Sequence, residues 1–298
     1  MMNVNEYLNG HNVMKIKVGK SGADVYEIDG RYVLKHVVRQ KLKEELFASY
    51  TREVLFYRSQ MKRQRVYLPE VLQAESSEQE MLIFMKKYRR PDRDTINAEL
   101  IQHITKSLAA LHTDTPPSFM YKDQKKAEAL SDQVIAECLC GWNSILAEHS
   151  GSFPEKQLEE IAGRINHLIA WHDSEDRVLI HGDFHWDNLL EDEHGNILLC
   201  DWQSVNLGGA SGDLSFFLSR LGGDGIRINT TVFLDNYVNA IRMLSGKQIR
   251  MQDLIRHMNA ANVITSFLFW HQYLHGSSEE RVRDIYSKMT KDFKDCNL

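Results

Sequence analysis

The chain has 298 residues, of which 43% are hydrophobic and 26% are charged. This composition supplies enough apolar material for a buried core and excludes an intrinsically disordered chain. No run of about 18 apolar residues occurs and the first residues are polar, so we expect a soluble cytoplasmic protein without a membrane span or signal peptide. The four cysteines fit no zinc-binding spacing, and we expect them to be reduced thiols.

Charge is unevenly spread along the chain. Residues 1–90 contain 17 Lys and Arg against 11 Asp and Glu, whereas residues 91–298 contain 19 against 30. The first part therefore has a balance of +6 and the second a balance of −11, within a total of −5. A basic first part suits a phosphate-rich ligand, and an acidic second part would attract a cation, although ordinary solvated surface also explains the asymmetry. The net acidity and the lack of a basic recognition motif argue against a nucleic-acid partner.

The first ninety residues alternate apolar and polar positions in short segments, as half-buried strands do. Asp29-Gly30 stands between two such segments and is a hairpin signal. One longer segment has the spacing of a helix. The pattern predicts a helix at 41–61 and strands at 14–18, 24–28, 31–38, 66–74 and 80–85.

Beyond residue 87 the pattern becomes mainly helical. We expect a small β-rich lobe followed by a larger, mostly helical lobe, which is an α+β fold class. We place a nucleotide-binding lobe at 1–87 and a catalytic and acceptor-binding lobe at 88–298. The second lobe is predicted to contain helices at 95–112, 125–149, 156–171 and from 213 onward, with short strands at 178–180, 189–190 and 197–200.

The most informative segment is the tripeptide His-Gly-Asp at 181–183, which directly follows a predicted strand. Asn188 comes five residues after Asp183, and a further strand then leads into Asp201. This order is that of the kinase catalytic loop and its metal-binding aspartate. Phosphoryl transfer needs a carboxylate beside the attacking hydroxyl and hard oxygen ligands for Mg²⁺. We therefore predict Asp183 as the catalytic carboxylate, and Asn188 and Asp201 as the metal ligands.

The run HGDFHWDN at 181–188, followed by Asp201-Trp202, resembles the aminoglycoside phosphotransferase and choline kinase-like family. That family has His-Gly-Asp where protein kinases have His-Arg-Asp, and it has Asp with a bulky residue in place of Asp-Phe-Gly. The similarity extends to 108–112 and 212–214, and it covers the chain from about residue 18 to about residue 221. It implies a protein-kinase-like two-lobed fold and Mg²⁺-dependent transfer of phosphate from ATP, with GTP as the alternative nucleotide.

Two further catalytic residues are predicted in the first lobe. Kinases use a lysine on the third strand to hold the α- and β-phosphates, and this lysine pairs with a glutamate on the next helix. Lys35 lies on the third predicted strand, and Glu53 on the following helix is its expected partner. Glu44 and Glu45 lie on the same helix and are alternatives, because the helical register is not known from the sequence.

The resemblance also implies the rest of the nucleotide site. A turn after the first strand would cover the phosphates with its backbone N–H groups, although a plain β-turn explains its sequence almost as well. The apolar positions of the adenine pocket have core packing as their alternative. The expected nucleotide-binding residues, besides Lys35, are Gly19, Ser21 and Gly22 in the turn, Val33 in the roof, Phe84, Met85 and Lys86 in the hinge, and Leu190 and Cys200 in the floor.

Three classes of protein carry such a loop: small-molecule kinases, protein kinases and pseudokinases. Only eleven residues separate Asp201 from Asp213, and no Ala-Pro-Glu follows, which argues against a protein kinase. A pseudokinase is expected to lack one of the catalytic residues, whereas Lys35, Asp183 and Asn188 are all present. The sequence therefore favours an enzyme that phosphorylates a hydroxyl of a small molecule.

The acidic balance after residue 90 favours a cationic acceptor, such as an aminoglycoside-type antibiotic. A choline, sugar or nucleoside-type metabolite kinase is the alternative, and a catalytically silent nucleotide-binding protein is a more remote one. We expect a monomer or dimer with no nucleic-acid or membrane partner.

Overall fold

The computed structural model describes residues 4–16, 22–121, 128–149, 153 and 155–296. The chain divides into two compact units. The first unit comprises Met1–Met120, Leu179–Asn206 and Arg227–Gln248, and the second comprises Tyr121–Val178, Leu207–Ile226 and Ile249–Leu298. No helix in these described ranges is long and apolar enough to cross a membrane. The boundary that the sequence suggests at residue 87 stays a prediction.

The described residues form short strands and longer helices, numbered here in chain order. The strands are β1 (Val13–Ile16), β2 (Asp24–Ile28), β3 (Tyr32–Val38), β4 (Val71–Ser76), β5 (Glu80–Lys86), β6 (Arg177–Ile180), β7 (Leu189–Glu191), β8 (Ile197–Leu199) and β9 (Asn206–Gly209). The helices are α1 (Asn5–Leu8), α2 (Glu44–Gln60), α3 (Ala98–His112), α4 (Asp132–Ala147), α5 (Glu155–His172), α6 (Ala210–Gly223), α7 (Thr230–Ser245), α8 (Met251–Phe269) and α9 (Glu279–Asp295). The predicted α+β class is confirmed.

An antiparallel sheet in the order β1-β2-β3-β5-β4 begins the first unit. Asp29 and Gly30 join β2 to β3 with φ values of 53° and 68°. Two positive φ values are what a type I′ hairpin turn requires, and Asp-Gly adopts them readily. The hairpin sets the register of β2 and β3, in which Lys35 lies opposite Val25. On its other side Lys35 lies opposite Ile83 of β5, in the middle of the sheet.

The two faces of this sheet are covered differently. Helix α2 packs against β4 and β5. On the face that carries Leu34 and Phe84, the ring of Phe84 lies 5.1 Å from that of Tyr7 in α1. Because side chains alternate along a strand, Lys35 belongs to the other face from Leu34. The sheet thus separates a small outer cluster from the face that carries the predicted catalytic lysine.

Strand β4 begins at Val71, five residues later than the alternation pattern predicts. Pro69 has no backbone N–H and cannot donate into a strand ladder. The preceding Tyr67 is buried, and its carbonyl accepts a 2.8 Å hydrogen bond from the N–H of Leu199 at the end of β8. Tyr67 is therefore held through this bond to Leu199, outside the strand that had been predicted for it.

The remaining helices are arranged around two cores. In the first unit α3, which Asn97 caps through a 2.8 Å bond from the N–H of Leu100, packs along α7. In the second unit α4, α5, α8 and α9 bury an apolar cluster that includes Trp142 and Tyr286. Helix α4 begins at Asp132, within the helix predicted at 125–149, of which residues 125–127 lie outside the described residues. Strand β9 was not predicted, because its Asn-Leu-Gly-Gly sequence lacks β-branched residues.

Candidate active site

The loop after β6 is organised by a buried histidine. Nδ1 of His181 accepts a hydrogen bond from the N–H of Asp183 at 3.3 Å, and its Nε2 lies 2.9 Å from the carbonyl of Cys200. Both ring nitrogens of His181 therefore take part in holding the loop. Gly182 has a φ of 77°, and a Cβ there would overlap the backbone oxygen of Ser204. Both residues of the motif before Asp183 thus shape the loop, and neither is placed as a base.

Asp183 and Asn188 contact each other directly. The side-chain Nδ2 of Asn188 donates to the backbone oxygen of Asp183 at 2.8 Å and to its Oδ2 at 3.3 Å. Nε2 of His185 lies 3.5 Å from the same Oδ2. No described residue donates to Oδ1 of Asp183 or to Oδ1 of Asn188. The loop therefore holds both side chains and leaves one oxygen of each available to a ligand.

Lys35 joins three distant segments of the first unit. Its ammonium lies 2.8 Å from Oε2 of Glu53 on α2 and 2.9 Å from Oδ1 of Asp201, which follows β8. It also lies 4.8 Å from the ring centre of Tyr50. Glu53 is 1% exposed and faces Lys35, whereas Glu45 on the same helix is exposed. The structure pairs Lys35 with Glu53, as the sequence reasoning expects.

Opposite charges offset the cost of burial to different degrees in this network. Burial raises the pKa of Glu53, although Lys35 opposes that rise. Burial alone lowers the pKa of Lys35, but attraction to Glu53 and Asp201 outweighs it and raises that pKa above its ordinary value. Burial likewise acts to raise the pKa of Asp201, and Lys35 with the hydrogen bond from Gln203 holds that pKa below its ordinary value. Lys35 is therefore a cation and Asp201 a carboxylate at neutral pH, the forms that phosphate and metal binding require.

Asp201 has an unusual backbone conformation. Its φ of 67° lies in the left-handed region, which residues other than glycine rarely adopt. Lys35 and Gln203 both donate to Oδ1, and no donor to Oδ2 is found within the described part of the chain. Non-glycine residues held in this region cluster at functional sites. The backbone conformation and the available oxygen are features that the predicted metal ligand would need, and the role of Asp201 stays a prediction.

Trp202 anchors the turn in which Asp201 lies. Its indole is fully buried, donates to the carbonyl of Leu199 at 2.9 Å and lies 4.4 Å from the ring of Phe56. Its ring centre is 4.6 Å from that of His181. Its backbone N–H donates to Oε1 of Glu53 at 3.3 Å. Trp202 thus packs against the catalytic loop and α2 while positioning the glutamate that pairs with Lys35.

Sequence reasoning missed the ion pairs that hold Asp187, a residue of the loop between Asp183 and Asn188. Asp187 accepts a 2.5 Å hydrogen bond from Arg93 and lies 3.8 Å from Arg90. The basic run around residue 90 is visible in the sequence, but nothing local to it indicates which carboxylate it pairs with. Tyr50 was missed because its contact with Lys35 joins two separate elements of the first unit. Gln203 lies only two residues from Asp201, so its place beside the motif was the available signal.

The residues expected around the adenine base lie in different surroundings. Val33 and Met85 are cross-strand partners on the sheet face that carries Lys35. The side chain of Phe84 lies on the opposite face, against Tyr7. Only the backbone of Phe84 could therefore contribute to a pocket on the lysine face. The N–H of Lys86 already donates to the carbonyl of Glu70 at 3.0 Å. Their roles in nucleotide binding stay predictions.

The remaining predicted nucleotide-binding residues belong to the floor of the adenine pocket and to the turn expected to cover the phosphates. Leu190 lies half-buried in β7, and Cys200 follows β8, where its N–H donates to the carbonyl of Asn188 at 3.0 Å. Burial raises the pKa of Cys200 to about 12, so its thiol stays neutral. Gly22 has a φ of 75°, as turn glycines often do. Gly19 and Ser21 lie outside the described residues.

The chain matches the model of a known protein family. The sequence profile of the phosphotransferase enzyme family matches residues 15–240. A search of curated proteins finds no match to this chain.

Several solved structures share the fold at low sequence identity. An aminoglycoside phosphotransferase with bound ADP is 15% identical, with a TM-score of 0.61 over 97% of each chain. A GDP complex of another aminoglycoside phosphotransferase is 11% identical, with a TM-score of 0.64 over 98% of this chain and 95% of the other. The ethanolamine kinase of Plasmodium vivax is 13% identical, with a TM-score of 0.58 over 98% and 84%. The kinase-like fold implied by the sequence is therefore confirmed.

The buried ion pair predicts the effect of Glu53→Gln. This change removes the charge that compensates Lys35, and breaking a buried pair in this way costs about 3 kcal/mol of folding stability. We also expect weaker ATP binding, because the ammonium loses one of its two anchors. Thermal unfolding and calorimetric titration with ATP measure both effects. The control is Glu45→Gln on the same helix, and equal losses in the two variants would contradict the pairing.

Proposed function

The chain belongs to the phosphotransferase enzyme family, and we propose that it transfers the γ-phosphate of ATP to a hydroxyl of a small, cationic molecule. One observation supports this most strongly. Asp183, Asn188 and Asp201 each keep one side-chain oxygen to which no described residue donates, and Asp201 is ion-paired to Lys35. All four belong to the first unit. This is the set of groups that phosphoryl transfer uses.

The proposed reaction assigns a role to each side chain. Asp183 accepts the proton of the acceptor hydroxyl through Oδ1, and the hydroxyl oxygen forms a bond to the γ-phosphorus. The bond between that phosphorus and the bridging oxygen breaks, and ADP leaves. Lys35 balances charge on the nucleotide phosphates while Glu53 holds it in place. Asn188 fixes the orientation of Asp183 through its Nδ2.

The residues present also fit a magnesium ion. Mg²⁺ prefers hard oxygen ligands, which the Asp201 carboxylate and the Asn188 amide oxygen supply. When bound there, the ion would neutralise negative charge on the phosphates. Asp201 would hold it through Oδ2 and Asn188 through Oδ1, the oxygens that accept from no described residue.

Two observations support a cationic acceptor. Residues 91–298 have 19 basic and 30 acidic side chains, which favours positively charged ligands. The structurally similar proteins include aminoglycoside phosphotransferases and an ethanolamine kinase, whose named substrates are amines. We propose an aminoglycoside-type acceptor, for which phosphorylation would confer antibiotic resistance, and place the reaction in the cytoplasm, where ATP is abundant. ADP and GDP complexes both occur among the similar structures, so GTP is the alternative nucleotide.

The proton-accepting role predicts the result of Asp183→Asn. The amide keeps the shape of the side chain but cannot take the proton, so kcat should fall by about 10²–10⁴ while ATP still binds. Single-turnover transfer with saturating acceptor measures the loss. Asp192→Asn is the matched control, because Asp192 caps the turn between β7 and β8 through Oδ1, which an amide retains. An undiminished rate in Asp183→Asn would remove this residue from the mechanism.

The metal assignment predicts the result of Asp201→Asn. Asparagine tolerates the left-handed backbone, so the change mainly removes negative charge. The Mg²⁺ concentration needed for half-maximal rate should rise by on the order of tenfold or more, and by less in Asn188→Ala, because a neutral amide is the weaker ligand. Steady-state rates at saturating ATP and varied Mg²⁺ measure both. An unchanged Mg²⁺ requirement in Asp201→Asn would contradict the assignment.

Acceptor charge predicts a response to salt. Steering of a cation by an acidic surface weakens as the screening length falls from about 10 Å at 0.1 M to about 3 Å at 1 M. The KM of an aminoglycoside acceptor should therefore rise with KCl by more than the KM for ATP. A screen of aminoglycosides, choline, ethanolamine and uncharged sugars, each with ATP, identifies the acceptor. A best acceptor that is neutral, with a salt-independent KM, would eliminate the cationic acceptor and leave the kinase assignment intact.

A further inference from the structure

A second cluster of ligand-type side chains lies in the second unit, and phosphoryl transfer makes no use of it. His172 is the last residue of α5, Glu175 follows three residues later, and His257 lies on α8. One ligand-capable atom from each lies within 4.8 Å of the other two. All three side chains are half-buried. It is the one group of this kind within the described residues.

His257 is held in position while one of its nitrogens has no partner. Its ring stacks on that of Trp171, with ring centres 4.1 Å apart and planes within 4°. Its Nδ1 is buried and has no hydrogen-bond partner among the described residues. Buried polar atoms are normally satisfied, and each exception calls for a physical explanation such as a missing ion.

Glu175 is oriented by its neighbours. Its two carboxylate oxygens accept hydrogen bonds from Ser211, one from the backbone N–H at 3.2 Å and one from Oγ at 2.5 Å. Gly209 permits this approach, because a Cβ at that position would overlap the carboxylate. Hydrogen bonds of this kind from outside the ligand set are what orient metal-binding carboxylates.

His172 lies beside the same serine that orients Glu175. Oγ of Ser211 is 3.5 Å from Nδ1 of His172 and donates to Glu175. One serine hydroxyl therefore contacts two of the three side chains. His172 also lines a cavity of about 570 Å³, which gives room for water as a further ligand.

We propose that His172, Glu175 and His257 bind a divalent first-row transition metal ion of the zinc type, which ties the end of α5 to α8. Two imidazoles and a carboxylate suit zinc and its neighbours, whereas Mg²⁺ prefers an all-oxygen set. Zinc takes nitrogen ligands at about 2.0–2.1 Å, so tetrahedral ligand atoms lie roughly 3.3 Å apart. The three side chains must therefore close by at most about 1.5 Å, which small side-chain rotations supply. The site is independent of the proposed transfer reaction.

The test uses the full-length, chelator-treated protein under reducing conditions, with excess Mg²⁺ and no nucleotide. Titration with ZnCl₂ by calorimetry should show one equivalent bound, and Co²⁺ should give a tetrahedral visible spectrum without a thiolate charge-transfer band. The second readout excludes binding at the exposed Cys140. Zinc at about 100 times Kd should raise the Tm by roughly 5 °C, as expected for a ligand that binds only the folded state.

Three variants separate a metal site from a polar cluster. His257→Gln and Glu175→Gln should each lose zinc affinity by on the order of 10² or more, and Ser211→Ala by about 10–100-fold, as for partners that orient a ligand. His167→Gln, an exposed histidine on α5, is the matched control and should bind as the unmodified protein does.

The outcomes are distinct. Loss of the zinc-dependent Tm shift in His257→Gln or Glu175→Gln, with retention in His167→Gln, supports the site. Should one ligand variant fail to fold, the other gives the same readout, and the Co²⁺ spectrum of Ser211→Ala gives a third. Absence of zinc binding in the unmodified protein, or equal binding in all variants, would overturn the proposal.

Discussion

The buried ammonium of Lys35 is the interaction on which the arrangement of the first unit depends. Its side chain is 13% exposed, and an ammonium removed from water is costly unless opposite charges compensate it. Glu53 and Asp201 provide those charges from 18 and 166 residues away in the chain. Strand β3, helix α2 and the segment after β8 therefore come together around the two buried charges, those of Lys35 and Glu53. The groups proposed for catalysis are for this reason also groups that hold the unit together.

Packing explains how a strained residue is tolerated beside this ion pair. A non-glycine residue in the left-handed region costs about 1–3 kcal/mol, and Asp201 adopts that conformation. Trp202, the next residue, is fully buried against Phe56 and His181, and burial of a large aromatic side chain stabilises by more than this strain costs. Trp202 therefore fixes the segment that carries Asp201. It contacts both Phe56 on α2 and His181 in the catalytic loop.

The parts of this site that could be predicted were those encoded by local spacing. Asp183 and Asn188 lie in one loop, so their five-residue separation was enough to predict that they act together. Periodicity placed Lys35 in the middle of a strand, and the structure resolves the choice of helix glutamate in favour of Glu53. The start of β4 was misplaced because alternation continued through Pro69, which cannot donate to a ladder. The contact of Arg93 with Asp187 spans 94 residues, and no local pattern indicates such a pair. Gln203 lies two residues from Asp201, and only its position in the motif could have indicated its contact.

The donor atoms suggest that the two units differ in the cations they would hold. In the first unit one ammonium lies between two carboxylates, which leaves a net negative charge at Asp201. A hard cation held by Asp201 would balance this charge. In the second unit His172 and His257 present nitrogen atoms, which hard cations bind poorly. If both proposed sites bind metal, the hardness of their donor atoms would make them selective, and excess Mg²⁺ would serve the transfer reaction without occupying the histidine cluster.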